Sequence, residues 1–141
     1  MQWDMQELEK WEELQAFVDT ALLPLYLYRP DEPIDRHVWR MTYLMQVAAA
    51  IEQRLRGRVL LFPLAYHVGE TPVPQQMPRG FAHYAAIQFA GDRIPLKSDG
   101  AQSHPLYLTV GDEDLTSSLR FEVTVDVLYQ EILRKWQSSR Q

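Results

Sequence analysis

Two continuously apolar segments flank one long amphipathic segment, and this order constrains the fold more than any other feature of the chain. Residues 20–28 (TALLPLYLY) and 58–64 (RVLLFPL) predict strands that are covered on both faces. Between them, apolar residues of 36–56 recur at helical spacing, Asp35 can cap the start, and Gly57 suits the position after the last turn. This succession predicts a βαβ unit with parallel strands.

Further segments extend this unit into a sheet. Pro24 cannot donate a ladder hydrogen bond, so we expect it at a bulge or on a side of its strand that has no partner. Residues 82–90 and 106–110 predict two more strands, and the segments 66–80 and 93–105 are predicted to be loops. The predicted fold class is α/β, a three-layer open sheet of about four mostly parallel strands.

Helices are predicted near both ends of the chain. Residues 4–17 have apolar residues three or four apart, with Asp4 as a capping residue. Near the other end, residues 119–127 alternate between apolar and polar, which favours a strand, yet their apolar residues also fit one helical stripe. From the residues alone, 119–125 stays open between strand and helix, whereas 127–137 predicts a helix.

The composition is that of one globular domain over residues 1–141. The chain is 46% hydrophobic and 23% charged, and it has no cysteine, which excludes thiolate nucleophiles and cysteine-ligated metals. Its histidines are dispersed and no glycine-rich phosphate-binding motif occurs, so we expect neither a metal nor a cofactor. A net charge of −5 argues against nucleic-acid binding. With no apolar run of about 18 residues and no signal-like start, we expect a cytoplasmic protein without a membrane span.

Polar and aromatic residues follow three predicted strands at their carboxyl ends, where ligands bind in open α/β sheets. Arg29 and Arg93 are candidates for binding a carboxylate or phosphate, and His67 is a candidate for proton transfer near neutral pH. Tyrosines at two strand ends can stack on a planar ligand. The candidate ligand-binding residues are Tyr28, Arg29, Tyr66, His67, Asp92 and Arg93.

Each candidate also has a purely structural interpretation. A tyrosine at a strand end is commonly a boundary residue, and Arg29 beside Asp31 is commonly a surface ion pair. The uneven charge has two interpretations as well. Residues 1–35 carry nine acids and two bases, which favours either an acidic patch for a basic partner or a solvated surface beside the basic segment 36–58.

Three stretches together resemble a known family. They are FVDTALLPLYLY at 17–28, IEQRLRGRVLLFPLAY at 51–66 and a terminal helix that ends in ILRKW at 132–136. These resemble the uncharacterised YpiF-like family of Gram-positive spore-forming bacteria, and GFAHYAAIQFA at 80–90 is similar to its third strand. The resemblance implies that 112–137 is one long helix.

The resemblance has one departure and one functional implication. At 67–79 the family usually has a longer helical insert, where this chain has a proline-rich stretch. The family has no assigned activity, and its genes tend to lie near those for the menaquinol–cytochrome c reductase, which implies a link to respiratory assembly.

Two functions compete on these grounds. The first is a non-enzymatic interaction or assembly domain, with a protein partner or a second copy of the chain. It predicts an exposed apolar patch that is larger than a monomer usually tolerates. The alternative is a small-ligand-binding domain or enzyme, with a pocket at the strand ends lined by Tyr28, Arg29, Tyr66 and His67.

Overall fold

A computed structural model describes residues 1–97 and 104–138, which form a parallel five-stranded sheet, a separate two-stranded sheet and the helices packed on the larger sheet. The predicted α/β class is confirmed. The α-helices are α1 (Met5–Leu8), α2 (Trp11–Leu14), α3 (Ile34–Arg54) and α4 (Ser118–Ser138). The strands are β1 (Thr20–Tyr28), β2 (Val59–Leu61), β3 (Ala65–Val68), β4 (Gln75–Gln76), β5 (His83–Phe89), β6 (Leu96–Lys97) and β7 (Leu106–Val110). Short 3₁₀ helices occupy Ala90–Asp92 and Asp112–Thr116.

The strand β1 is the centre of the sheet. The order is β2, β1, β5, β7, and β3 pairs with β1 beyond the end of β2. The first βαβ unit is parallel as predicted, with Thr20 opposite Val59 in β2 and opposite His83 in β5. Because all these pairs are parallel, the carboxyl ends of β1, β3, β5 and β7 lie at one edge of the sheet.

Pro24 lies where the edge strand beside β1 is interrupted. Pairing with β2 ends at Leu22 opposite Leu61, and pairing with β3 resumes at Leu25 opposite Ala65. The carbonyl oxygen of Leu22 accepts a hydrogen bond from Phe62, so it points to the β2 and β3 side of β1. Backbone groups two residues apart in a strand point to the same side, so the nitrogen of Pro24 faces that side too. No strand pairs with Pro24 there, which suits a residue that has no backbone hydrogen to donate.

The two faces of the sheet are covered differently. Apolar residues of α3 and α4 pack on one face in a single cluster with Leu22, Tyr26, Ile87 and Leu108. On the other face, Leu23, Leu25 and Leu27 pack beneath the connections that carry β4 and β6, with Met77 and Ile94 buried among them. The third layer is therefore built from these connections and their small sheet.

The last turn of α4 is fixed to the amino end of β1. The indole nitrogen of Trp136 donates to the hydroxyl of Thr20 at 2.9 Å, and both residues are buried. The guanidinium of Arg58 lies 3.8 Å from the centre of the Trp136 ring and binds both carboxylate oxygens of Asp19. These contacts join the last turn of α4 to the start of β1 at the amino edge of the sheet.

Several element bounds differ from those predicted. The expected helix 4–17 is two four-residue helices, and the expected strand 58–64 stops at Leu61. The stretch 66–80, predicted as a loop, contains most of β3 and all of β4. Pro63 lies between β2 and β3 and removes a donor there, which accounts for the early end of β2.

The long helices agree more closely with the sequence. The predicted helix 36–56 is α3, two residues earlier at each end, and the open segment 119–125 is helical, inside α4. The predicted helix 112–137 begins as a 3₁₀ helix before α4. Within the predicted loop 93–105, Leu96 and Lys97 form the strand β6, and residues 98–103 lie outside the described part. Within that part, no helix is both long enough and apolar enough to cross a membrane.

Candidate functional site

Charged residues from separate segments meet at the carboxyl edge of the sheet. Arg29 follows β1 directly, Asp92 follows β5 and Asp112 follows β7, so the parallel order brings them to one edge. A guanidinium nitrogen of Arg29 lies 2.7 Å from a carboxylate oxygen of Asp92, and another donates to the backbone carbonyl of Glu70. We call Arg29, Arg40, Glu32, Asp92 and Asp112 the strand-end cluster.

Arg40 is the buried centre of the strand-end cluster. It extends from the second turn of α3, and only 6% of its surface is exposed. Its Nε and Nη2 atoms donate to the two oxygens of Asp112 at 2.7 and 2.6 Å, a bidentate ion pair. Its Nη1 atom lies 3.5 Å from Glu32 and 3.6 Å from Asp92. The hydrogen bonds from Arg40 lower the pKa of Asp112, so this carboxylate stays ionised.

A buried tyrosine–histidine pair lies next to the strand-end cluster. The hydroxyl of Tyr26 is 2.6 Å from Nδ1 of His37, and Nε2 of His37 is 2.9 Å from the carbonyl oxygen of Arg29. A carbonyl can only accept, so Nε2 of His37 carries a proton, and in this tautomer Nδ1 accepts from the Tyr26 hydroxyl. Burial raises the pKa of Tyr26, which keeps that hydroxyl protonated. The Tyr28 ring stacks on His37 with centroids 4.0 Å apart.

The strand-end cluster borders a cavity of about 490 Å³. Both guanidiniums in its lining, those of Arg29 and Arg40, already bind carboxylates, so neither is free to hold an anion. Among residues 1–97 and 104–138, no three or more histidine, aspartate or glutamate side chains are placed so that they could hold a metal ion together. The carboxylates in the lining belong to Asp31, Glu32, Asp92, Asp112 and Glu113.

The six residues proposed from the sequence do not gather in one place. Tyr28, Arg29 and Asp92 lie together around the strand-end cluster. Tyr66 is opposite Tyr26 and is 60% exposed. Of the four residues expected to line one pocket, only Arg29 lines the strand-end cavity.

The other two candidates point to the opposite face of the sheet. His67 is opposite Leu27, and side chains alternate along a strand, so His67 turns away from α3 and bonds Gln75 at 2.8 Å. Arg93 lies 3.9 Å from the centre of the Tyr107 ring on that same face. The alternation of side chains along β3 thus separates His67 from the strand-end cluster, and the contact with Tyr107 separates Arg93 from it.

Tyr26, His37, Arg40 and Asp112 were not among the candidates. A signal for two of them was present, because His37 and Arg40 occupy the same helical face as the buried Leu44. Polar residues at core-facing positions of a helix need partners inside the protein, so this spacing indicates a buried network. Tyr26 and Asp112 carried no comparable signal.

A second feature is an apolar surface beside the β2 edge of the sheet, where the backbone of Met1 hydrogen-bonds to Val59 and Leu61. One groove, the N-terminal groove, has a volume of about 320 Å³ and is lined by Met1, Gln2, Trp3, Asp4, Met5, Leu8, Trp11 and Leu60. The other, the edge groove, has a volume of about 360 Å³ and is lined by Gln2, Trp3, Pro24, Met45, Ala48, Ala49, Leu61, Phe62, Pro63 and Leu64. The two share Gln2 and Trp3, and we call them together the edge surface.

Exposed apolar side chains continue the edge surface. Trp3 is 64% exposed and its ring contacts that of Phe62 at a centroid distance of 5.0 Å. Ile34, Val38 and Met45 lie exposed on one stripe of α3, and Met45 lines the edge groove. Monomeric proteins rarely expose large contiguous apolar patches, so a surface of this kind is typical of an interaction site.

These features define a parallel α/β domain with an ion-pair cluster at its strand ends and an apolar surface beside the β2 edge of the sheet. The chain belongs to the family described as Protein of unknown function (DUF2487), whose model matches residues 9–87, more than half of the chain. Membership of an uncharacterised family is thereby confirmed. The match includes β1 and α3 and ends before Asp92 and Asp112. No curated protein and no solved structure matches the chain.

Proposed function

We propose that this protein is an interaction domain that binds a protein partner at its edge surface. The observation that carries the proposal is the pair of adjoining apolar grooves around the exposed side chain of Trp3. Aromatic anchors beside apolar pockets contribute most of the energy in protein interfaces. The strand-end cluster supports the same proposal, because its guanidiniums are already bound by carboxylates within the domain.

The resemblance to YpiF-like proteins supports a finer form of the proposal. In this form the chain is a cytoplasmic protein of a Gram-positive spore-forming bacterium and acts in the assembly of a respiratory complex. An exposed apolar surface suits such a role.

The proposal is tested with a displayed library of peptides of about 16 residues, long enough to form a helix. The full chain is immobilised through its carboxyl end, since Met1 lines the N-terminal groove. Enriched peptides are then titrated against the wild type, Trp3→Ser and Trp39→Ser. Trp39 is a matched control, because it is 66% exposed, lies on the outer face of α3 and lines neither groove.

We expect Trp3→Ser to weaken binding at least about tenfold and Trp39→Ser to change it less than about twofold. An equal loss in both variants, or a library without enriched peptides, would contradict the proposal. Sedimentation over a range of protein concentrations distinguishes a foreign partner from a second copy of the chain.

A small-ligand site in the strand-end cavity is the second candidate function. It is favoured by the position of this cavity, at the carboxyl ends of parallel strands, where such sites occur. A ligand at a hundred times its dissociation constant stabilises the fold by about 2.7 kcal/mol, which a thermal-shift screen detects. The shift should disappear in Asp31→Asn, which changes the cavity lining, and persist in Asp35→Asn, which does not.

A further inference from the structure

We infer that the N-terminal groove receives a basic amphipathic helix of a partner protein. This inference rests on the proposed function and specifies the partner's chemistry. The groove is built by the segment Met1–Asp4 and by α1 and α2, and Leu60 of β2 closes one side. Its volume falls at the lower end of the range for ligand-binding pockets.

The lining of the groove suits apolar side chains at helical spacing. Met5 is 83% exposed and Leu8 is 60% exposed, although both are large apolar residues. Trp11 is half-buried between them and the rest of the domain. Methionine is flexible and tolerates varied partners, and tryptophan is a common anchor of interfaces. A helix that places apolar residues three or four positions apart fits a groove of this kind.

The charge around the groove is negative and unmatched. Asp4 lines it, and Glu9, Glu12 and Glu13 lie exposed on or beside α1 and α2. Within the described residues, none of these three glutamates forms an ion pair, and Lys10 is the only base between Met1 and Thr20. Their field therefore favours a partner with lysine or arginine beside its apolar stripe.

Among the described residues, no arginine forms an ion pair with Glu9, Glu12 or Glu13. The arginines of α3 and its C-terminal end bind other carboxylates: Arg36 binds Asp112, Arg54 binds Asp126, Arg56 binds Glu52 and Arg58 binds Asp19. The exposed apolar stripe of α4 (Leu119, Val123 and Val127) is interspersed with Glu122 and Asp126, so it is not a basic helix. The exposed apolar stripe of α3 (Ile34, Val38 and Met45) has its neighbouring arginines Arg36 and Arg54 already in ion pairs. Charge therefore favours a foreign protein over a second copy. It also disfavours an anionic membrane, which acidic side chains repel.

The test uses the peptides enriched on the full chain. We expect them to combine apolar residues at helical spacing with a net positive charge, and to bind less tightly as salt rises. The triple variant Glu9→Gln, Glu12→Gln, Glu13→Gln should bind the peptides about fivefold more weakly or worse, and Trp3→Ser should lower their affinity further. The control is Glu113→Gln with Glu122→Gln, two exposed acids elsewhere, and it should leave affinity unchanged. Thermal unfolding checks that every variant is folded.

The outcomes separate this inference from the proposed function. Suppose that the enriched peptides are neutral or acidic, that their binding depends on Trp3 and that it does not change with salt. This result would contradict the inference of a basic helix, and the proposed interaction domain would still be supported. Peptides that do not depend on Trp3 would overturn both. Binding of the chain to anionic vesicles, or concentration-dependent dimers that compete with the peptides, would also overturn the inference.

Discussion

Arg40 is a buried cation whose charge is balanced by carboxylates from three segments of the chain. Glu32 precedes α3, Asp92 follows β5 and Asp112 follows β7. A buried charge costs several kcal/mol unless ion pairs and hydrogen bonds compensate it, so Arg40 is tolerated only when these segments are in place. The ion pairs of Arg40 thereby couple the start of α3 to the ends of two strands.

Replacing Asp112 with asparagine should destabilise the fold. The amide side chain keeps the shape of the carboxylate but loses the charge that Arg40 binds. Because the Asp112 side chain is about half exposed, we expect a loss of about 1–2 kcal/mol. The control is Asp126→Asn, which removes an exposed partner of Arg54 and should cost less than about 0.5 kcal/mol. Urea unfolding measures both variants. Equal losses of stability in the two variants would show that the ion pair of Asp112 with Arg40 contributes no more than an exposed ion pair.

The same pair predicts a dependence on pH. Arg40 lowers the pKa of Asp112 in the folded state below its value in the unfolded chain, which is about 3.9. The stabilisation is therefore complete above about pH 5 and is lost as the pH falls through the folded-state pKa. The stability difference between the wild type and Asp112→Asn should shrink when urea unfolding is repeated at decreasing pH. A constant difference down to pH about 2 would contradict this linkage.

Removing the hydroxyl of Tyr26 should leave Nδ1 of buried His37 without a donor. An unsatisfied buried polar atom costs about 1–3 kcal/mol, so we expect Tyr26→Phe to lower the free energy of unfolding by that amount. Tyr66→Phe is the matched control, because Tyr66 is the register partner of Tyr26 but has an exposed side chain. Similar stabilities of Tyr26→Phe and the wild type would show that the hydrogen bond to His37 contributes little.

At the scale of elements, length decides what the sequence can predict. The helices α3 and α4 each span 21 residues, so their apolar periodicity is repeated many times. It predicts both ends of α3 within two residues and the last residue of α4 within one, but it leaves 119–125 open between strand and helix. The strand β3 has four residues and forms because β1 offers an unpaired edge beyond Pro24. That edge depends on tertiary pairing, which local residue patterns in 65–68 do not encode.

The docking of α4 depends on its last turn, and Trp136→Phe tests it. Phenylalanine keeps a ring under Arg58 but loses the donor to Thr20 and leaves a small cavity, so we expect a loss of about 1–3 kcal/mol. Amide exchange should quicken most in the final turns of α4. Trp39→Phe, at an exposed position, should change stability by less than about 0.5 kcal/mol. Unchanged exchange in α4 would count against this role of Trp136.

For the whole molecule, the parallel sheet was predictable and the sites were predictable only in part. In open α/β sheets, ligands bind at the carboxyl ends of the parallel strands. Because only the direction of the strands has to be known to apply this rule, it identified the edge of the sheet where Tyr28, Arg29 and Asp92 meet. It does not indicate the side of the sheet on which a side chain lies: His67 points away from α3 and Arg93 packs on Tyr107. For the edge surface, the sequence predicted an exposed apolar patch but not its position. Its two grooves are lined by residues between Met1 and Leu64 that are far apart in the sequence and adjacent only in the folded protein.

The family match covers less of the chain than the fold requires. It ends at residue 87, inside β5, whereas the outer neighbour of β5 is β7 and the helix-side core includes Leu108, Ile132 and Trp136. A chain of residues 1–97 would expose the edge of β5 and leave Arg40 without Asp112. We therefore expect it to lack a cooperative thermal transition and to bind a hydrophobic dye, as compact states with lost packing do.

Adding the segment 98–141 as a separate chain should restore a cooperative transition, because β7 and α4 would again cover β5 and the helix face. Calorimetry of the two pieces, alone and mixed, measures this. A cooperative transition of 1–97 alone, at a temperature near that of the full chain, would show instead that the family-matched region folds by itself. In that case β7 and α4 would be an addition to a complete domain, and Asp112 would stabilise a cluster that already exists without it.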